Sequence, residues 1–438
     1  MSVYPRNMSA FLNRLSGYNK NNVKMNVLGS PTANGGDVIQ VDLPTNSIVD
    51  LSSLAWAFDV TYAASGTDTQ NCQSPINAES IINRLAVEVN GQTLVNLTNY
   101  NTLFHALLYM TGTEDYQRQR LVAQANTTDG QTQGTCAASD NAAVTRQHVV
   151  DSWLGFLGSA KPNFIDTSLL GNVRITITLA GGDIIATDNA AATRSYSLAN
   201  QHFSVDVVSI ADGVYDAMVD QMLASGAPIE VPFKNYFSFA SQNASMDQTT
   251  AFNVASQSID RMWAIARPSN YNTAGQARVA TLPQHDVIAH NPRFFNFQSC
   301  NGSEFHFKVN NTLYPQWTST KSVDWWQHTK LALGDQGNML AGAYPTSLSQ
   351  YETNFFVYAC QLEHRTDGDE RFVSGIDTRG AAAQCYFISK QSTLNPDPAD
   401  GGGGALDRTG AVANQILVFA ECTSSLKIMA NKVLEIVQ

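Results

Sequence analysis

Eight histidines stand at positions 105, 148, 202, 285, 290, 306, 328 and 364, and none takes the HxH or HExxH spacing that places two imidazoles on one metal ion. A cupin-like metal site is therefore not expected. His285-Asp286 is the one place where an acid directly follows a histidine; beside Pro283 it reads as a hydrogen-bonded loop rather than a general base. Six cysteines, at 72, 136, 300, 360, 385 and 422, form no CxxC. Several lie in apolar, strand-like runs, which predicts free buried thiols in a reducing compartment. The run Gly401–Gly404 lacks a following Lys-Ser/Thr and is no phosphate cradle. Asp367, Asp369, Glu370 and Asp377 could attract a cation, but their spacing fits no ligand loop and reads as a solvated acidic turn. With 37 acids, glycosidase-like carboxylate pairs stay open on spacing alone. Trp325-Trp326 could stack on a sugar, although one of two adjacent helical aromatics normally packs into a core. No catalytic, cofactor or metal site is assigned, and the chain is not read as an enzyme.

What positions these residues is a repeat. Leu85-Ala-Val-Glu-Val-Asn-Gly-Gln-Thr-Leu and Phe305-His-Phe-Lys-Val-Asn-Asn-Thr-Leu both alternate apolar and polar residues and break at an Asn turn. Each runs on into a helix-like stretch, over 98–111 and 323–334, ending near Gly112 and Gly334. The offset is about 220 residues in a chain of 438, which accommodates two units of ordinary domain size. Trp56-Ala-Phe58 and Trp263-Ala-Ile265 echo one another in the strands that precede, with an insertion across 268–298 in the second copy. Strand signals recur at 38–43, 56–62, 173–179, 203–210, 228–233 and 415–420, and the closing strand at 426–437 is matched to 203–210. Many short strands, one helix per copy and long loops at 122–147, 335–350, 364–380 and 392–410 describe antiparallel sandwiches, with a jelly roll favoured over a simple barrel.

Charged residues are only 14% of the chain, so amides and hydroxyls fill the surface, and such groups cost less than ions to desolvate in a contact. The net charge is −11, unevenly placed. Residues 1–36 hold four bases and no acid, which leaves 22 bases against 37 acids beyond, a balance of −15. An acidic body argues against broad nucleic-acid binding, and no sequence-specific nucleic acid is expected. Met8, Phe11, Leu12 and Leu15 fall at the spacing of a short helix face with Arg14 opposite. Two readings of this stretch stand side by side: a terminal helix packed on its own domain, or an anchor to a neighbouring subunit or an acidic surface. Its candidate residues are Arg6, Met8, Phe11, Leu12, Arg14, Leu15, Lys20 and Lys24. There is no run of about 18 apolar residues and no signal-peptide pattern at the start. Without such a signal, the sequons at Asn7, Asn96, Asn126, Asn243, Asn301 and Asn310 read as accidental.

The order of segments resembles the double jelly-roll major capsid proteins of tailless icosahedral double-stranded DNA viruses, the lineage of adenovirus hexons, tectivirus-like phages, virophages and large algal viruses. The residues that carry the likeness are Ile81 through Val95 with the Tyr100 helix, Asp166 through Ile177, Tyr196 through Val208, Pro228 through Phe239, and Gln257 through Arg267. None is a strict signature; order, doubling and length make the resemblance. It implies an all-β fold of two tandem eight-stranded antiparallel jelly rolls, each with one short helix after an Asn-turn strand. The expected division is a basic arm at 1–36, a first roll at 37–212 and a second at 213–438. It also implies a homotrimeric capsomer of hexagonal outline that meets neighbouring capsomers, penton and minor capsid proteins, in a virion assembled inside the host cell. The arm would face those partners or an internal membrane. A two-sandwich carbohydrate-binding or carbohydrate-active protein (a lectin or glycan amidase-like enzyme) is the alternative.

Overall fold

The computed structural model describes residues 18–65, 72–73, 75, 77–111, 120, 144–187, 193–210, 213–226, 228–243, 247–268, 293–295, 297–299, 302–333, 347–353, 355–363, 375–380, 384–391, 414–429 and 432–438. Two sheets make the first unit. One runs β1 (Tyr18–Asn26), β12 (Thr193–Ile210), β4 (Ile48–Ser65) and β8 (Val144–Val150), with β2 (Ala33–Asn34) on β12 and β9 (Phe164–Asp166) on β4. The other runs β3 (Val38–Asp42), β10 (Val173–Leu179), β6 (Ile82–Val89) and β7 (Gln92–Thr98). A separate pair joins β5 (Cys72–Gln73) to β11 (Ala186–Thr187).

The second unit repeats this plan. One sheet runs β13 (Ile229–Asn243), β20 (Asn414–Met429), β15 (Ile259–Pro268) and β18 (Val357–Gln361), with β21 (Val433–Val437) on β20. The other runs β14 (Asp247–Asn253), β19 (Gln384–Gln391), β16 (Gly302–Val309) and β17 (Thr312–Tyr314). In both units the late long strand lies between the first and third strands of its sheet, and all of these pairs are antiparallel. That interleaving is the jelly roll.

Helix α1 (Tyr100–Thr111) follows β7, and α5 (Ser322–Leu333) follows β17; each has 12 residues. Short helices α2 (Phe156–Ser159) and α3 (Thr167–Leu170) lie late in the first roll, α4 (Gly213–Ala224) joins the rolls, and α6 (Leu348–Thr353) precedes β18.

Local chemistry explains the shared parts. Asn90 and Gly91 both have positive φ, +49° and +80°, the pair a type I′ hairpin turn requires, and at the matching turn Asn310 alone has positive φ, +52°. In β10 the residues Val173, Ile175, Ile177 and Leu179 point inward, while Arg174, Thr176 and Thr178 alternate outward. Trp56, Phe58, Val60 and Tyr62 do the same on β4, where Trp56 stacks on Phe203 at 5.7 Å.

Several expectations change. The first roll begins at Tyr18 rather than Asp37, because residues 18–26 form the edge strand β1 in register with β12. Lys20 and Lys24 therefore belong to a strand and not to an arm; Lys20 binds Asp206 and Asp50 at 2.8 and 3.3 Å. Lysine on an exposed edge is a common guard against stray strand pairing. The counterpart of β12 is β20, and the chain's last residues add β21 outside the repeat. Residues 213–224 are a connecting helix rather than roll, and the loop at 122–147 gives way to β8 at Val144. Each unit carries short helices beyond the single one expected. Trp56 and Trp263 occupy matching strands but opposite faces. Trp56 points into its own roll, whereas Trp263 shares the outer face with Arg261 and donates to Glu421 at 3.1 Å.

Candidate functional site

The isolated chemical groups prove structural. Cys360, Cys385 and Cys422 are free and buried. Burial pushes the Cys360 and Cys385 thiols up to about 12 and about 11, so neither is a nucleophile at neutral pH. Asp377 is exposed and clamped by Arg379, whose guanidinium and backbone N–H hold its carboxyl down to about 2. Trp325 is the core member of its pair, packed on Phe305 and donating to the Ser319 carbonyl, while Trp326 leans on Tyr351. Among the described residues, no three His, Cys, Asp or Glu side chains are placed to hold a metal ion. His285, His290, His364, Asp367, Asp369, Glu370 and Gly401–Gly404 lie outside the described residues, as do Arg6, Met8, Phe11, Leu12, Arg14 and Leu15.

The built feature is the joint between the rolls, and it has two parts. The first is helix α1, whose residues Asn101, His105 and Tyr109 lie four apart on one face. His105 stacks on Phe295 of the second roll at 3.9 Å, and Tyr109 meets Phe297 and Phe355 at 6.0 and 4.7 Å. Nδ1 of His105 donates to the Asn101 carbonyl at 2.8 Å, which leaves Nε2 to accept from Asn77 and Ser80, each at 3.2 Å. Burial holds this imidazole down to about 3, so it is neutral.

A pH prediction follows, because an unfolded imidazole titrates near 6.5. Below that pH the unfolded chain binds the extra proton, so stability falls as pH drops from about 6.5 towards 3. This one group contributes up to about 1.4 kcal/mol per pH unit. Burial also lowers His306 and His328, which add slopes of the same sign. Denaturant midpoints at pH 7 and 5 should show His105→Gln flattening the dependence by one such share; an unchanged slope would contradict the assignment.

The second part is an ionic cluster on the outer face of the β13–β20–β15–β18 sheet, beneath the first roll. Lys234 Nζ lies 2.7 Å from Asp260 and 3.7 Å from Glu363. Arg261 lies 2.7 Å from Glu363 and 3.6 Å from Glu421. Thr423 and Ser258 hydroxyls donate to the two Asp260 oxygens at 2.6 and 2.5 Å. Burial alone would lower Lys234; Glu421 and Asp260 outweigh it and hold the ammonium charged. Burial raises Glu363 against the pull of Arg261 and Lys234. The first roll meets this sheet along the β13 edge, where the Lys234 backbone N–H donates to Ser159 Oγ at 2.8 Å and Phe156 meets Phe233 edge-on at 5.3 Å, and on the cluster face, where Asn99 donates to Ser238 at 3.1 Å. Each of the three carboxylates is buried and lies beside Lys234 or Arg261, an arrangement that fixes this sheet at the joint.

None of these residues was assigned to a joint from sequence, although His105 was among the histidines considered and Lys234, Asp260 and Arg261 fall in the segments that carry the resemblance. The usable signal was the unbroken apolar run Met262–Ala266, which marks a strand covered on both faces.

No protein-family description matches this sequence, and no curated protein matches it. Solved structures do. The PBCV-1 virus capsid aligns with a TM-score of 0.62 at 13% identity, over 97% of this chain and 98% of that one. A crystal structure of PBCV-1 VP54, fitted into a reconstruction of the virophage Sputnik, gives 0.62 at 14% identity with the same coverage. The Faustovirus major capsid protein gives 0.60 at 8% identity, over 94% and 91% of the two chains. The chain shares the fold of these capsid proteins, a double jelly roll.

Proposed function

We propose that this chain is a viral major capsid protein whose trimers, of near-hexagonal outline, tile an icosahedral shell. The observation that carries the reading is the joint itself: two rolls of one topology held in a fixed relation by α1 and the buried cluster. Three such chains present six equivalent rolls, and closed rings of identical contacts are the ordinary outcome of head-to-tail association. The low-charge surface supports extensive contact between copies, and the acidic body keeps the protein off nucleic acid. The virion is its place of work, after assembly inside the host cell. Within the basic arm, residues 1–17 are assigned to the neighbouring capsomer, a penton or minor capsid protein, or an internal membrane. The cut falls at Gly17 because β1 starts at Tyr18 and belongs to the first roll.

Light scattering on the purified chain should give about 140 kDa, three copies of 47.5 kDa. A mass of 47.5 kDa, with measurable sugar binding, would return the reading to a two-sandwich carbohydrate protein. Removal of residues 1–17 should leave the 140 kDa species intact and abolish closed shells in electron micrographs; normal particles from the shortened chain would remove the arm from assembly.

A further inference from the structure

The two helices that follow the Asn-turn hairpins can be compared residue by residue, since each has 12 residues. Tyr100 then matches Ser322, and the inner faces agree: Leu103 with Trp325 and Met110 with Ala332, all buried. The face of α1 that docks on the second roll, Asn101, His105 and Tyr109, matches Val323, Gln327 and Leu331 on α5. These three are exposed, with Val323 at 59% and Leu331 at 54%. Trp317 and Leu348, at 52% and 45%, flank the helix in sequence, so four of the ten large apolar side chains exposed among the described residues lie between β17 and β18. Single exposed apolar residues are ordinary, but a concentration on one segment marks a contact surface.

The receiving side shows the same imbalance. The outer face of the β13–β20–β15–β18 sheet is buried under the first roll. The matching face of the β1–β12–β4–β8 sheet carries Ala55, Ala57, Asp59, Thr61 and Ala63, all half-exposed. An open depression of about 440 Å³ lies there, lined by Asn34, Gly35, Thr61, Ala63, Arg194 and Ser197. It lies over β4, β12 and β2, one strand in from the β4–β8 edge that corresponds to the β15–β18 edge beside Phe355.

We infer that the Val323–Gln327–Leu331 face of α5 docks on the outer face of the first-roll sheet, around Thr61 and Ala63, in a second copy of this chain. The contact between copies thereby repeats the contact between rolls inside one copy. The occupant is a second copy because the chain already fills the equivalent joint with its own α1. The inference rests on the trimer reading and names its surfaces. Donor and acceptor differ, so the contact is head-to-tail and closes only as a ring.

The test uses the full chain. The double variant Val323→Asp/Leu331→Glu alters exposed positions only, and its mass should fall threefold, from about 140 to 47.5 kDa, with an unchanged circular dichroism spectrum. The acceptor variant Thr61→Arg/Ala63→Arg should fall likewise. An equimolar mixture of the two should give a species of about 95 kDa, twice 47.5 kDa, because one donor and one acceptor remain intact and the ring cannot close. This last result requires folded copies, so it separates a broken contact from a misfolded chain. A variant that keeps the wild-type 140 kDa, or a mixture that stays monomeric, overturns the contact. A wild-type mass of 47.5 kDa instead overturns the trimer itself.

Discussion

Lys234→Met is expected to destabilise the second roll by about 3–5 kcal/mol, the usual cost of removing one partner from a buried ion pair. The ammonium sits between Asp260 and Glu363, and its removal leaves Arg261 to face three carboxylates. Those carboxylates cannot recover water, because Asp260, Glu363 and Glu421 are buried at the joint. The denaturant midpoint should drop with its slope unchanged, since the surface exposed on unfolding stays the same. Adding Asp260→Asn to Lys234→Met should restore part of the loss, because it removes one of the unpaired charges. A single-variant loss below about 1 kcal/mol would mean that the cluster is solvated and exerts little hold on the fold.

Phe295→Ala should cost about 3–5 kcal/mol, the range for deleting a buried aromatic ring. Phe295 is fully buried, stacked on His105 and edge-on to Phe294 at 4.9 Å. Its loss opens a cavity where the two rolls pack together, and close-packed surroundings relax only partly to fill one. Leu331→Ala is the informative control. At the position matching Tyr109 it should change the stability of the isolated chain by no more than about 0.5 kcal/mol, because the side chain is exposed there. Equilibrium unfolding of both variants checks the pair. Equal losses would show that α5 is already covered within its own copy.

The parts of this structure legible in the sequence were those governed by local rules. Turn chemistry at Asn90-Gly91 and the period-2 stripe of β10 follow from backbone geometry and one buried face. The edge strand β1 was illegible because only Val23 and Met25 supply an inward stripe among its asparagines and lysines. On β14 the inward residues are Gln248, Thr250 and Phe252, so polarity there points the wrong way. The joint was hidden for a different reason. Lys234, Asp260, Arg261, Glu363 and Glu421 come from distant stretches, and each reads alone as an outward polar residue of a half-buried sheet. Only the placement of one roll over the other turns that face inward. The repeated tryptophans show the converse error, a likeness of letters at positions that face opposite directions.

The α4 segment that ties the two rolls into one chain also sets how the proposed ring responds to dilution. A tether this short holds its two ends at an effective concentration in the millimolar range, so the joint between the two rolls forms within one molecule at any dilution. For the proposed three-copy ring, yield then scales with the cube of protein concentration, where six separate rolls would require the sixth power. The same tether makes the number of rolls in any assembly even, because each copy brings two.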